Sequence, residues 1–548
     1  MDITFDAETI GLRHKHPDFR VLFNGFLGDE CLSQDLEYPT LKSYDNLIGF
    51  NLKFDLKCLF QQFPTWDEWP KQLYDTKIAF HLLREDLNSY SLENLAHVLY
   101  QYPNYKYLVD FSNSDYVGDI QLLKLYNRHD LYFTKQLKDL TEPVLRKKNK
   151  WPLFMMLMDY IKALTTMEMK GVKVDIIELN RQGAIWEVKR NKAAEALRNY
   201  GLKVDFESKA LIGTNDLRDF FKREKVKLPK TDKGNDCINK NTLKILDHPV
   251  ANLLLELRQA NKQLGTYNIG FKNELIEDIY YPNYSTTGTV TGRLSEKFIQ
   301  VMPRPETSEF KKCIVSKFPG GKLLSSDWSR LEALLAAEMF WIFTGKHKLA
   351  DDLVNGYDIH DETLQRFKFL PDRTRAKNAN FSTIFGGRGY SLVNEYGFTW
   401  PQATEFVHDL IVVRYPEMSE FFEMRGKEIS QKGYVEHPYT HRGRHTSNYN
   451  EGLNAPIQGI GHDFNKIMTI TLAHHLEGFE SHVCLDVHDD ITVDVCPKEE
   501  KEVIDIVKTV YNDFDLYFHN YFDIELKVKY NAEHKIGNNL YSLTKIDT

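Results

Sequence analysis

At 548 residues the chain is too long for one hydrophobic core, so two or more domains are expected. With 42% hydrophobic and 27% charged residues, no apolar run of about 18 residues and no secretory signal, the composition is that of a globular protein without a membrane span, expected in the cytosol or an equivalent compartment. The net charge of -8 does not by itself call for nucleic acid, but phosphates are read by nearby cations while acidic metal sites pull the total down. Six cysteines (Cys31, Cys58, Cys237, Cys313, Cys484, Cys496) contain no CxxC pair, which argues against structural zinc and a disulfide framework and predicts buried thiols.

The first predicted strand lies in MDITFDAET. Ile3, Phe5 and Ala7 face one way and Asp6 and Glu8 the other, because strand side chains alternate with period two. GFNLKFDLKCLF then puts Asn51 and Asp55 four apart on a helix face, and LYNRHDLYFTKQL puts Tyr126 and Asp130 four apart on another. Four acids and a tyrosine can therefore converge. Their order, DxE then NxxxD then YxxxD, resembles the proofreading exonucleases with four acidic residues and a catalytic tyrosine. The resemblance implies an RNase H-like domain over residues 1–145, with Asp6, Glu8, Asp55 and Asp130 binding two metal ions and Tyr126 orienting the attacking water. Asp75, in YDTKIAF, falls where that family often has a further aspartate and equally where a helix takes an N-cap.

LRKKNKWP, with Arg146, Lys147, Lys148 and Lys150 before Pro152, predicts an exposed basic linker and a domain boundary. The Met and Leu stripe of LFMMLMDYIKALTTMEMKGVKVD predicts a core helix ending at Gly171. Residues 180 to 280 are rich in Lys, Arg, Asn and Leu at helical spacing. Arg258 and Lys262 share a face there, a spacing that suits successive backbone phosphates and equally a solvated helix.

LLSSDWSRLEALL predicts a buried strand ending at Asp327 and a helix from near Ser329. A carboxylate at the tip of a buried strand is costly unless it caps the helix or meets a cation. SHVCLDVHDDITVDVCP predicts a hairpin, with Val483, Leu485 and Val487 alternating before His488, Asp489 and Asp490, and Ile491, Val493 and Val495 alternating after. Asp327 and Asp489 on neighbouring strands would hold two divalent ions about 3.5 to 4 Å apart, an arrangement suited to phosphoryl transfer. In PDRTRAKNANFSTIFGGRGY, Arg373, Lys377, Phe381 and Phe385 recur every four positions as one helical stripe, ended by Gly386 and Gly387. A nucleotide suits that stripe, with its phosphates on Arg373 and Lys377 and its base against Phe381.

With TGTVTGRLSEKFIQVMPRP, these segments resemble the family A DNA polymerases of the bacterial polymerase I type, from residue 2 to about 541. The matching motifs are TxTGRLS (Thr289, Thr291, Gly292, Arg293, Leu294, Ser295, with Gln300, Pro303 and Arg304 following), DxSxxE, RxxxKxxxFxxxYG and VHDE. EHKIGNNLYSL resembles the family's closing segment, and KGYVEHPYTHRGRH reads as a basic hairpin. The resemblance implies a right-hand polymerase domain over 146–548, with the thumb at about 180–285, the palm at about 286–340 and 455–548, and the fingers at about 341–454. Asp327 and Asp489 become metal ligands, and Glu332 packs under the sugar and obstructs a ribose 2'-hydroxyl. Arg293 reaches the minor groove at the primer end, His360 lies near the phosphates, Asn454 and Gln458 contact the duplex, and His488 lies near the primer terminus. Four positions depart from the pattern: Leu334 and Asn450 stand for arginines, Phe385 for a tyrosine that bonds the glutamate, and Asp490 for glutamate, a shorter acid expected to reach metal through water.

The expectation is an α/β multidomain chain, an RNase H-like exonuclease followed by a right-hand polymerase. It would be a DNA-directed DNA polymerase with 3'-5' proofreading, using two Mg2+ per site, for which Mn2+ can substitute. Primer-template DNA, dNTPs and replisome proteins (helicase, single-strand binding protein) are the expected partners of a monomer without membrane contact. Asp6 leaves no room before it for a 5'-nuclease domain, so a compact replicative enzyme of phage or plasmid type is expected. The competing readings are an RNA-trimming exonuclease with a non-catalytic nucleic-acid-binding carboxy-terminal half, a single-subunit RNA polymerase, and a replisome scaffold.

Overall fold

A central strand of each large sheet carries a site acid, and the rest of the fold presents those two strands. The computed structural model describes residues 1–28, 32–109, 118–231, 234–300 and 309–546; Cys31, Pro303 and Arg304 lie outside them. The amino-terminal sheet has the order β3-β2-β1-β4-β5. Its strands are β1 (Asp2–Ile10), β2 (Arg20–Leu27), β3 (Leu32–Asp35), β4 (Asn46–Gly49) and β5 (Gln72–Asp75). β1 pairs antiparallel with β2 and parallel with β4. Helices α1 (Lys53–Gln62), α2 (Thr76–Leu83), α3 (Leu92–Tyr100) and α4 (Ile120–Lys147) follow in the same segment. The alternation read from the sequence holds: Ile3, Phe5 and Ala7 are core residues.

The basic run is no separate linker: Arg146 and Lys147 end α4, and with Lys148 they are exposed as expected, whereas Lys150 is buried. α4 and α5 (Trp151–Lys170) are joined by Lys148, Asn149 and Lys150 alone. Asn149 takes a left-handed φ of 56° to make the turn, and Pro152 fits the first turn of α5, where a missing N–H is harmless. Lys150 is 1% exposed and donates to the His441 carbonyl, while the Arg146 guanidinium lies 3.6 Å from the Trp151 ring centroid. α5 then serves both halves of the chain. Its Glu168 pairs with Lys53 and Lys57 of α1, and its Tyr160 hydroxyl donates to Asp486 Oδ2 at 2.9 Å. One hydrophobic cluster runs from Ile3 through α5 to Ala532. As expected, α5 ends at Gly171, whose φ is 64°.

Next come β6 (Val172–Val174), α6 (Ile176–Asn199), α7 (Thr214–Arg223), α8 (Lys240–Ile245), α9 (Pro249–Lys262), β7 (Ile279–Tyr280) and β8 (Ile314–Val315). The helices close over a separate core that includes Leu197, Phe221 and Leu254. The second large sheet has its strands in the order β12-β13-β9-β14-β15. They are β9 (Lys322–Trp328), β12 (His482–Val487), β13 (Asp490–Val495), β14 (Ala532–Gly537) and β15 (Thr544–Lys545), with β9 central. Between β9 and β12 run α10 (Leu331–Thr344), α11 (Lys348–Val354), α12 (Ile359–Arg366), α13 (Arg373–Ile384), α14 (Gly389–Tyr396), α15 (Trp400–His408), α16 (Pro416–Lys432), the hairpin β10 (Tyr434–Glu436) and β11 (Gly443–His445), and α17 (Tyr449–His475). α18 (Glu500–Asn512) and α19 (Phe514–Phe522) precede β14. Among the described residues no helix is long and apolar enough to cross a membrane.

Three smaller readings change. Cys237 is half-buried rather than buried, though each described cysteine is free. The hairpin at 434–445 forms, but its arginines are already paired: Arg442 binds Asp463 through two bonds of 2.8 and 2.6 Å, and Arg444 bonds Glu451 at 3.0 Å. α10 starts at Leu331, because Arg330 adopts a left-handed φ of 58°.

Candidate active sites

In the amino-terminal segment, β1 carries Asp6 and Glu8, and α4 delivers Asp130 against them. One oxygen from each of these three carboxylates lies within 4.8 Å of the others. Asp55, in the first turn of α1, accepts the Ala7 N–H at 3.0 Å and so closes the group onto β1. Burial pushes the Asp6 carboxyl up to about 6, and Glu8, Asp55 and Asp130 are raised too, first by burial and then by one another's charge. Three buried carboxylates gathered with the half-buried Asp6 are costly as anions, and a divalent ion is what this donor set fits.

Tyr126, one turn before Asp130, donates to Glu93 Oε1 at 3.0 Å. Tyr105 donates to Asp130 Oδ1 at 2.6 Å, and the buried Asn127 donates to Asp6 Oδ2 at 2.7 Å. Glu93, Tyr105 and Asn127 carry no motif and were not read from the sequence; only the place of Asn127, next to Tyr126 on the same helix, hinted at it. One reading is corrected and, for Asp75, the N-cap alternative is the one found. Asn51 has φ 62° and precedes α1, so it shares no helix face with Asp55. Asp75 caps α2, accepting from Lys77 and Ile78, and also accepts from Asn51 and Leu52. The cleft beside Tyr126 and Asp130 is lined by Asn51, Lys77 and Lys106 and by residues 285 and 287–290.

At the second site Asp327 lies one residue before the end of β9, with Asp490 of β13 directly opposite on one side and Glu533 of β14 on the other. Asp489 is not on the neighbouring strand. It sits with His488 in the turn between β12 and β13, where His488 has φ 59°. Asp327 does not cap α10, whose N-cap position is Arg330. Burial, then Asp490 and Asp489, push the Asp327 carboxyl up to about 7; Asp489 is raised by burial and Glu332 by burial and Asp489. Asp490 is held by the Ser325 hydroxyl and by Thr492 at 3.3 Å. Like charges crowded at one end of the central strands again call for a cation.

Glu332 is paired with Arg293, Nη2 to Oε1 at 3.2 Å, and Arg293 Nε lies 2.6 Å from His462 Nε2. Burial, then Lys466 and Arg293, hold the His462 imidazole well below its usual range, so it is neutral and accepts that bond. The loop is fixed from behind: Thr289 Oγ1 donates to the Arg293 carbonyl at 2.7 Å and Lys466 Nζ to the Gly292 carbonyl at 2.9 Å. Leu334 is buried in the core, so no ion pair replaces the arginine there.

Along α13 the stripe forms as read. Phe381 and Phe385 are stacked at 6.1 Å with 5° between planes, and Lys377 Nζ lies 5.7 Å from the Phe381 centroid. Arg373 pairs with Asp358 and with Asp361 at 2.9 Å. His360 Nδ1 faces the Asn380 amide at 3.0 Å, its ring is 5.5 Å from Phe381, and burial takes its imidazole down to about 4. Asn454 and Gln458 lie one turn apart on α17, and Asn454 Oδ1 is buried without a hydrogen-bond partner among the described residues. Arg258 donates to the Ile238 carbonyl at 3.0 Å and is half-buried, so it braces its own helix layer, whereas Lys262 is exposed.

An acid-tipped sheet thus lies beside a cationic and aromatic helix, and a second acidic cluster gathers on β1. Residues 186–542 match the model of DNA polymerase family A, and the chain belongs to that family. DNA polymerase I of Aquifex aeolicus is 26% identical over 542 residues, 91% of this chain and 89% of that one. DNA polymerase I of Lactococcus lactis is 30% identical over 319 residues, 54% of this chain, and that of Caldicellulosiruptor bescii 26% identical over 489, 80% of this chain. The chain spans only 35% and 55% of those two relatives' lengths. The POL domain of Pol1 from M. smegmatis, solved in complex with DNA primer-template and dNTP, superposes with a TM-score of 0.80 over 99% of this chain and 96% of that one, at 18% identity. The whole chain therefore has the fold of a family A polymerase.

Proposed function

We propose that the chain extends a primer 3'-end on a DNA template with deoxynucleoside triphosphates, and that its amino-terminal segment removes misincorporated nucleotides in the 3'-5' direction. The observation that carries the first part is the meeting of Asp327 with Asp490 in register and Asp489 in the adjoining turn. Asp327 and Asp489 would hold magnesium or manganese. A bound divalent ion supplies neutralising charge and a more acidic attacking oxygen. The protein's own groups do the rest. Lys377 and Arg373 draw the triphosphate along α13, with Arg373 exchanging Asp358 and Asp361 for phosphate oxygens. Phe381 offers its face to the base, and neutral His360 has its Nε2 side left to donate. Glu332, held by Arg293, excludes a 2'-hydroxyl, and Arg293, His488, Asn454 and Gln458 face the duplex, with Lys262 on its backbone.

In the amino-terminal site Asp6, Glu8, Asp55 and Asp130 would hold the ions, and Tyr126 would orient a water toward the terminal phosphodiester. Primer extension and primer digestion by wild type, Asp327→Ala and Asp6→Ala proteins test both assignments. The first substitution is expected to abolish synthesis and spare digestion, and the second to do the reverse. Digestion that survives Asp6→Ala, or synthesis that survives Asp327→Ala, overturns the corresponding assignment.

A further inference from the structure

We propose that Asn127, oriented by Gln34 and admitted by the absence of a side chain at Gly25, is a positioning residue that fixes Asp6 and Glu8 for metal. The inference rests on the exonuclease reading above. Asn127 is 0% exposed and its Nδ2 faces three acceptors: Asp6 Oδ2 at 2.7 Å, the Asp6 carbonyl at 3.3 Å and Glu8 Oε1 at 3.5 Å. Its Oδ1 accepts from Gln34 Nε2 at 3.0 Å, and Gln34 is itself anchored on the Lys124 carbonyl at 2.8 Å. Chemistry fixes the direction of this relay. Two carboxylates accept only from an N–H, and the Lys124 carbonyl does the same for Gln34, so neither amide can flip without opposing acceptor to acceptor.

The sheet register explains why an asparagine from a helix reaches strand acids. Gly25 of β2 pairs with Asp6 on one side and with Gln34 of β3 on the other. A Cβ at Gly25 would lie 2.0 Å from Asn127 Oδ1 and 2.9 Å from its Cγ, so the gap at Gly25 is the space the amide fills. Asn127 engages Asp6 through Oδ2 and Glu8 through Oε1, which leaves the other oxygen of each free to turn toward a cation. Groups that orient metal ligands from behind typically contribute about 10- to 100-fold in affinity.

The test uses the full chain carrying Asp327→Ala, so that the ion followed is the amino-terminal one. Free Mn2+ is read by electron paramagnetic resonance during titration, with digestion kinetics on a single-stranded primer alongside. Asn127→Ala is expected to weaken Mn2+ binding about 10- to 100-fold and to lower kcat with little change in KM. Gly25→Ala, which leaves every acid and the asparagine in place, should reproduce the loss, and Gln34→Ala should give a smaller one. Circular dichroism melting keeps folding separate, and Asn127→Ala in the Asp327 wild-type background should still extend primers. Unchanged Mn2+ affinity in Asn127→Ala, or a folded Gly25→Ala protein with full affinity, overturns the proposal. Wild-type protein that binds Mn2+ in an Asp6-dependent manner yet digests nothing would overturn the exonuclease reading and leave the positioning role standing.

Discussion

A carboxyl held at about 7 in a metal-free site makes a prediction about stability before any about catalysis. The raised Asp327 acid binds its proton more tightly folded than unfolded, so it lends stability at low pH and loses it as pH rises from about 4 through about 7. The chelated protein is therefore expected to melt at lower temperature as pH climbs through that window. Asp327→Asn should flatten the slope and raise the melting temperature at about pH 8, and magnesium should do the same for wild type. A calorimetric scan in EDTA across pH checks this; a slope unchanged by the substitution would mean the acid is not buried as described. Phe385 supports a second prediction. The Glu332 carboxylate is held by Arg293 and not by a phenol, so Phe385→Tyr should add a donor worth about 1 kcal/mol. The ratio of kcat/KM for deoxynucleotides over ribonucleotides should rise about fivefold.

Among the elements, α5 and α13 show what local spacing can and cannot convey. The α13 stripe was legible because four residues at one helical interval need no knowledge of the rest of the chain. The same holds for β1, where period two fixes Asp6 and Glu8, and for Tyr126 and Asp130 on α4. Lys150 was misread because its burial depends on the His441 carbonyl, 291 positions away. Glu93, Tyr105, Asn127 and the Arg293 pair with Glu332 were invisible for the same reason. The ion cluster on α5 was equally hidden, and it is testable. Glu168, 2% exposed, faces both Lys53 and Lys57, and burial takes the Lys53 amine down to about 7. Removing the shared acid leaves two buried cations together, so Glu168→Ala should cost about 3 to 5 kcal/mol in urea denaturation. A loss below about 1 kcal/mol would show that water reaches the site.

For the molecule as a whole, the shared cluster running through α5 predicts joint unfolding. Tyr74 of β5 packs 4.6 Å from Phe154 and 6.4 Å from Trp151, so a fragment ending at residue 145 would bare this surface. Calorimetry of the full chain should give one main transition for the amino-terminal sheet and the β9 sheet, and the short fragment should be unstable. Two well-separated transitions would mean that the parts melt independently. The loop from Ser285 to Arg293 ties them at a finer level. Its residues 287–290 line the amino-terminal cleft, while Arg293 grips Glu332 and His462 near Asp489. Thr289 and Arg293 are four positions apart, a reach of about 14 Å at most. Any displacement of the Arg293 backbone beyond that reach must carry Thr289 with it, so the wall of the amino-terminal cleft cannot stay still when the cation gripping Glu332 moves.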